Sequence, residues 1–331
     1  MRILITGGAG FIGYSCATRL LARGDEVVAI DNLNDYYDVR LKHDRLADLQ
    51  ARFGDRFRFH KVDFADHAAL DAALENEAFD GIIHLGAQAG VRYSIENPRA
   101  YVQANLVGHL NMLEVARARQ VPMVYASSSS VYGGNDTLPF RVEDRVDHPL
   151  SLYAATKKAD ELMSETYAHL YRLPLTGLRF FTVYGPWGRP DMAMWIFTKA
   201  IMAGKPIPVF NNGDMYRDFT FIDDIVSGVI ACIDTPPVDD GALKAGGSKG
   251  PHRLYNIGNH RCEKLTDMIT LIEDACGKKA IIAFHPMQAG DVRETYADIS
   301  AISGDLGYAP TTAISDGVPK FVEWFKRYHS S

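Results

Sequence analysis

Arg2-Ile3-Leu4-Ile5-Thr6 is a short, β-branched apolar run, and Gly7-Gly8-Ala9-Gly10-Phe11-Ile12-Gly13 follows it without a break. Such a run suits a parallel strand buried on both faces. Behind the glycines, residues 14–22 carry helical spacing and stop at Arg23-Gly24, a C-terminal glycine signal. Glu26-Val27-Val28-Ala29-Ile30 is a second apolar strand, and Asp31 ends it. Strand, glycine loop, helix, strand and acid together make a dinucleotide-binding unit. The glycines permit a tight turn and bring a pyrophosphate close to the helix N-terminus, while the acid binds a ribose hydroxyl. An ordinary tight turn would explain Gly7, Gly10 and Gly13 alone, but not the acid that closes the next strand. Asp31 also repels a 2′-phosphate, so NAD is expected in preference to NADP.

The rest of the chain must supply a sheet for this unit. Its 331 residues, 47% hydrophobic and 23% charged, suit two domains, or one large α/β domain with a smaller cap. A net charge of -6 and a pI near 6.0 argue against a nucleic-acid surface but leave room for a local basic pocket facing a phosphorylated small molecule. Cys16, Cys232, Cys262 and Cys276 lack metal-ligand spacing and read as reduced thiols, with no zinc site. No apolar run approaches the roughly eighteen residues of a membrane span. A cytoplasmic protein with no membrane partner is expected.

Residues 32–55 read as a polar connection with a charged, mostly solvated helix over 39–52. A third strand is expected at 58–63, with its crossover helix at 68–77. Gly81-Ile82-Ile83-His84-Leu85-Gly86-Ala87-Gln88 is a fourth strand running into a loop of small residues, where His84 either approaches the cofactor or caps the strand. Residues 101–119 read as one long helix. Asn105, near its start, either bonds backbone or catalytic waters or serves as a structural cap. Residues 122–126 are a fifth strand that spills into Ser127-Ser128-Ser129-Ser130, placing four hydroxyls where doubly wound sheets bind ligands.

Leu150-Ser151-Leu152-Tyr153-Ala154-Ala155-Thr156-Lys157-Lys158 begins a strong helix former, with Ser151 as its cap. Tyr153 and Lys157 then lie one turn apart on one face. A phenol ionises near pH 10, and holding it as phenolate at neutral pH takes roughly 4 kcal/mol, which a fixed ammonium and a second cation can supply. Tyr153 is the candidate base. By itself this spacing is more often a solvated helix face, and the serine loop and the glycine unit are what raise it.

Ser128, Tyr153 and Lys157, taken with Gly7, Gly10, Gly13 and Asp31, resemble the extended short-chain dehydrogenase/reductases, and within them the nucleotide-sugar 4-epimerases. The resemblance covers nearly the whole chain. It implies an α/β fold, a doubly wound Rossmann sheet over residues 1–180 with later segments contributing, and a smaller mixed α/β nucleotide-sugar-binding cap mainly from 181–331. It implies bound NAD, Ser128 on the sugar 4-hydroxyl, Tyr153 as base, Lys157 on the nicotinamide ribose, and Asp63 on the adenine amine. Phe11, Ile12, Asn32, Phe64, Leu85, Gly86, Ala87, Gln88, Asn105, Phe180 and Val183 would complete the cofactor site. Arg92 and Ser94 would join the substrate site. A homodimer is implied as well, pairing the 101–119 and 153–171 helices across a two-fold axis.

After a sixth strand at 175–181, proline, glycine and short helices at 193–203 and 223–233 read as the cap, and the Gly- and Lys-rich residues 243–252 as a mobile surface loop. Residues 316–328 form a C-terminal helix whose Val318, Phe321, Val322 and Phe325 read as core. Arg189, Arg217 and Arg293 sit in glycine-containing loops and suit anion clamping. The resemblance puts Arg217 and Arg293 on a diphosphate and packs uracil on Ile207-Pro208-Val209-Phe210. The 4,6-dehydratases of this kind carry an Asp-Glu pair where Ser129-Ser130 stand here, decarboxylating UDP-xylose synthases typically place glutamate at Ser130, and UDP-galactose epimerases usually have Asn at Thr182. Residues 185–194 and 213–224 look most like UDP-glucuronate 4-epimerases, used in polysaccharide biosynthesis. The 4-keto form of a glucuronate is a β-keto acid prone to lose carbon dioxide, and Thr182, Ser129, Ser130 and Arg189 are the candidates to hold its carboxylate out of line for cleavage.

Overall fold

The computed structural model describes residues 1–288 and 290–330. In chain order, the first half alternates β1 (Arg2–Thr6), α1 (Phe11–Arg23), β2 (Glu26–Asp31), α2 (Arg40–Phe53), β3 (Phe57–Lys61), α3 (His67–Leu74) and β4 (Gly81–His84). Two short helical turns, α4 (Tyr93–Glu96) and α5 (Pro98–Tyr101), lead to α6 (Gly108–Arg119), then β5 (Met123–Ser128), α7 (Leu152–Tyr171) and β6 (Leu175–Phe180). The second half adds β7 (Thr182–Tyr184), α8 (Ala193–Met202), β8 (Pro206–Phe210), β9 (Tyr216–Arg217), β10 (Phe219–Phe221), α9 (Ile222–Asp234) and β11 (His252–Ile257). It closes with β12 (Glu263–Lys264), α10 (Leu265–Cys276), β13 (Ile281–His285), α11 (Ser300–Leu306) and α12 (Ile314–Ser330).

Seven of these strands make one all-parallel sheet in the order β11-β6-β5-β4-β1-β2-β3. Alternation along the strands divides the core. Ile3, Ile5, Val27 and Ala29 face one cluster with α1 and α9, while Leu4, Val28 and Ile30 face the other with α3 and α6. Both layers are apolar, so the central strands read as unbroken hydrophobic runs. The order reverses direction between β1 and β4, and the carboxyl ends there open the crevice in which such sheets bind ligands.

The cap is built on small strand pairs: β8 with β13 in parallel, β9 with β12 antiparallel, and β7 with β10 in parallel. The 223–233 helix, expected in the cap, packs on the large sheet instead, and β11 is one of the later segments that contribute to that sheet. Helix α9 packs on α1 and beneath β4 and β5, because Ile225, Val226, Val229 and Ile233 present an apolar face to that layer. β11 joins the outer edge of β6, with Tyr255 opposite Leu178. Residues 243–252 are likewise not a loose loop: Lys244 N–H donates to Ser248 O at 2.8 Å, Leu254 N–H to Ala245 O at 2.9 Å, and His252 already lies in the sheet.

The helix over 39–52 is mostly surface, as expected, but its inner face buries two cations: Arg45 wholly and Lys42 nearly so. The helix over 101–119 is interrupted by a π-helical stretch, Val102–Val107. Gly108 follows it, where an added Cβ would meet the Phe64 ring at 2.3 Å. The wider turn aims Asn105 inward, where it donates to Gln88 O at 3.1 Å and Thr156 Oγ1 at 3.0 Å.

Candidate active site

One cavity of about 770 Å³ runs from the glycine loop, across the carboxyl ends of β1, β4, β5 and β6, into the cap. At its first end the glycines are set by steric need. Gly7 has φ +66°, and a Cβ there would lie 2.9 Å from Gly86 N; a Cβ on Gly13 would lie 2.2 Å from Gly7 O. No side chain caps α1 at Gly10, so its first-turn N–H groups face the cavity as an anion site. Asp31 accepts from Leu33 N–H at 2.8 Å and Ala9 N–H at 3.3 Å. Buried Lys42 stands 3.5 Å from Asp31 and donates to Asn34 Oδ1 at 3.0 Å. Asp63 takes Asn32 Nδ2 at 3.0 Å and Ala65 N–H at 2.9 Å. A cradle of backbone donors beside an acid at the end of β2 fits a dinucleotide.

The middle of the cavity is held by α7 and β5. Ser151 Oγ caps α7 by accepting from Ala154 N–H at 3.1 Å, and the helix then carries both Tyr153 and Lys157 onto the cavity wall. The Tyr153 ring meets Tyr101 edge-on at 5.9 Å. Lys157 Nζ donates to Ala126 O at 2.8 Å and Asp160 Oδ2 at 3.1 Å. Ser128 leaves β5 into a 3-10 turn, its Oγ donating to Ser130 Oγ at 3.1 Å and accepting from Ser130 N–H at 3.2 Å. Ser127 points the other way and donates to Glu161 at 2.7 Å, while Glu161 binds Arg179 of β6 through two bonds of 2.8 and 3.0 Å. This buried cluster locks α7 to β5 and β6, and so fixes Tyr153 relative to Ser128.

The cap end collects cations. Arg189 forks onto Asp191 at 3.0 and 2.5 Å, and Asp191 also accepts from Tyr36 Oη at 3.2 Å. Burial, then the neighbouring Asp191 charge, pushes the Tyr36 phenol up to about 12. Arg217 donates to Tyr216 O at 2.8 Å and Arg293 O at 3.1 Å, and burial pulls its guanidinium below the usual arginine range despite nearby Asp291. A desolvated cation on a cavity wall is ready for an anion. Arg92 lies 5.1 Å over the Phe210 ring.

Of the residues singled out from the sequence, Gly7, Gly10, Phe11, Ile12, Gly13, Asp31, Asn32, Asp63, Phe64, the 85–88 loop, Ser128–Ser130, Tyr153, Lys157, Phe180, Thr182, Val183, Arg92, Arg189, Phe210 and Arg217 all meet on this wall. Four stand off it. Asn105 is spent on Gln88 and Thr156 behind the wall, and Ser94 Oγ donates to Val91 O at 2.6 Å. Val209 points into the core while Pro208 and Phe210 face the cavity, as strand alternation requires. Arg293 pairs outside with Asp214 at 2.9 and 3.1 Å. His84 is the strand's own: Thr6 Oγ1 lies 2.7 Å from its Nδ1, and burial, aided by the Lys157 charge, pushes its pKa down to about 3. The sequence reading missed Tyr36, Lys42 and Asp191. Only the Arg189-Pro190-Asp191 spacing carried a signal, an acid two residues from a cation in a loop.

The fold and cavity together define a Rossmann-type nucleotide-binding protein with a second, cation-lined ligand lobe. The chain belongs to the family described as GDP-mannose 4,6 dehydratase, which it matches over residues 4–321. It is 47% identical over 332 residues to a probable UDP-glucuronate 4-epimerase of Rhizobium meliloti (strain 1021), covering 98% of this chain and 97% of that one. It is 46% identical to UDP-glucuronate 4-epimerase 3 of Arabidopsis thaliana, covering 99% of this chain and 77% of the plant protein. The crystal structure of UDP-glucuronic acid 4-epimerase from Bacillus cereus, in complex with UDP-glucuronic acid and NAD, superposes with a TM-score of 0.88 at 33% identity, covering 99% of this chain and 100% of that one.

Proposed function

We propose that this protein is an NAD-dependent UDP-glucuronate 4-epimerase, forming UDP-galacturonate through a 4-keto sugar. One observation carries the reading: Ser128, Tyr153 and Lys157 lie on the same cavity wall as the glycine loop at one end and Arg189 and Arg217 at the other. Tyr153 removes the proton of the sugar 4-hydroxyl, and Ser128 holds that oxygen. Lys157 stabilises the developing phenolate charge from one turn away. Bound NAD takes up the C4 hydride and returns it to the opposite face of the ring. The Ser129-Ser130 pair leaves no carboxyl group for the elimination that names the wider family, which favours epimerisation over 4,6-dehydration.

Arg217 is the diphosphate clamp and Phe210 the base platform. Arg189 is the candidate for the C6 carboxylate, and with Thr182, Ser129 and Ser130 it holds that group away from alignment with the carbonyl π orbital. Asp191 already occupies its fork, so substrate must share or replace that partner. Product analysis by NMR, with UDP-glucuronate and UDP-glucose offered separately, tests the assignment. UDP-galacturonate from the first is expected; conversion of UDP-glucose alone refutes it, and no conversion of either refutes catalysis.

The same reading includes a homodimer. Val107, Leu110, Leu162, Leu170 and Tyr171 are exposed apolar side chains on the packed α6 and α7 region, which supports a two-fold helix contact. Sedimentation of the wild type and of Leu162→Arg decides it, with a monomeric wild type refuting the pairing. A cytoplasmic location is proposed from four free cysteines; among the described residues, no helix is long and apolar enough to cross a membrane.

A further inference from the structure

Asp160 lies one turn beyond Lys157 on the buried face of α7, with no solvent exposure. Its Oδ2 accepts from Lys157 Nζ at 3.1 Å, and its Oδ1 has no hydrogen-bond partner among the described residues. A wholly buried carboxylate satisfied on one side only is costly, and a neutral side chain of the same shape would fit with less strain on the fold. Its one ionic contact is Lys157, which lines the same cavity wall as Tyr153.

We propose that Asp160 is a positioning residue that sets how much of the Lys157 charge reaches Tyr153. This rests on the reading of Tyr153 as the base. Ionised, Asp160 neutralises Lys157 and makes the phenol harder to ionise; neutral, it leaves the ammonium acting at full strength one turn away. Among the described residues, Arg189, held by Asp191, and Tyr101 face Tyr153 itself, and the other titratable groups around Lys157 are committed elsewhere. On α7, Glu161 is committed to Arg179 of β6, Ser127 and Lys158. His109 of α6 pairs with Ser164 and His84 of β4 with Thr6, and burial holds both imidazoles neutral. Tyr125 of β5 is buried against His252, and burial holds its phenol protonated. Burial also pushes Asp160 up to about 7 against the pull of Lys157, so it carries its charge above neutrality, on the side where a phenol ionises.

The test compares the pH dependence of kcat with UDP-glucuronate for the wild-type holoenzyme and Asp160→Asn. Removing the negative charge eases ionisation of Tyr153, so the acid limb should move to lower pH by about one unit. KM should change little. A limb that coincides with the wild type overturns the proposal, because a purely structural Asp160 would change stability and leave the limb in place. Tyr153→Phe, assayed beside it, separates the two readings. If that variant keeps its turnover, the assignment of the base has failed; if it loses turnover while the Asp160→Asn limb stays put, only the role of Asp160 has failed. Should Asp160→Asn not fold, the phenolate absorbance of the wild-type protein, with the Tyr153→Phe signal subtracted, decides the matter. Asp160 and Tyr153 ionising against each other give a titration broader than a single site, and a single-site curve overturns the inference.

Discussion

Asp31 and Lys42 form a buried pair at the end of β2, and together they make a quantitative prediction about cofactor choice. An acid alone at this position would repel a 2′-phosphate. Two unit charges about 5 Å apart at an effective permittivity of 20 interact by about 3 kcal/mol, roughly two orders of magnitude in affinity. In the folded protein the carboxylate stands 3.5 Å from an ammonium of opposite sign, so the wild type shows only the difference between repulsion and attraction. Asp31→Ala removes the repulsion and leaves Lys42 without its ionic partner on the cavity wall. The ratio of NADP to NAD affinity should therefore rise about 100-fold. In a Lys42→Met background the same substitution removes the same repulsion and should raise it by a similar factor, while Lys42→Met alone should lower it. Asp31 also accepts from Ala9 N–H, so its loss loosens the glycine loop for both nucleotides and leaves the ratio as the clean readout. Protein stripped of nucleotide and titrated with each dinucleotide by calorimetry gives the four ratios of a double-mutant cycle. An unchanged ratio in Asp31→Ala, or one that Lys42→Met fails to lower, would refute the argument.

Tyr153→Phe should keep its fold and nucleotide while losing epimerisation by orders of magnitude, since only the proton acceptor is gone; near wild-type turnover in an NMR time course counts against it. Arg189→Ala should raise KM for UDP-glucuronate far more than for UDP-glucose, by the roughly 1.5 to 3 kcal/mol of a charge-assisted bond, and release some UDP-4-keto-pentose. Equal impairment with both sugars and no keto-pentose would move Arg189 away from the carboxylate. Glu161→Gln should cost about 3 to 5 kcal/mol of stability, because Arg179 is left buried without its partner. Arg179 and its neighbours hold the Glu161 carboxyl below its ordinary pKa against the effect of burial, so its contribution is full above that ordinary value and fades as pH falls through the folded one. Urea titrations of both proteins at neutral and acid pH check the size and the narrowing of the gap.

The glycine unit was legible because its geometry is local: φ at Gly7 and the contacts of Gly7 and Gly13 are set within one turn and one neighbouring strand. Tyr153 and Lys157 were legible for the same reason, as helix periodicity alone brings them together. Long-range pairing was not. Residues 222–234 show helical apolar spacing whether they cover a cap or the large sheet, and only the closing of β11 beside β6, some seventy residues apart in sequence, puts α9 against α1. The π stretch at 102–107 is equally silent, since one wider turn leaves the composition unchanged.

Charged residues gave the least away, because a sequence reports a charge and not the partner that makes burial tolerable. Arg45 reads as one more cation on a solvated helix. In the fold its guanidinium reaches Ala9 O and Tyr37 Oη at 2.9 Å and Trp187 O at 2.5 Å, so it ties the glycine loop to the loop that carries Arg189 and Asp191. Carbonyls bring no charge of their own, and a buried guanidinium held by carbonyls and a phenol is stable only while all three loops stay in place. Cofactor and substrate ends of the cavity are thus fastened together by a side chain that touches neither. A substitution at Arg45 should therefore be felt at both.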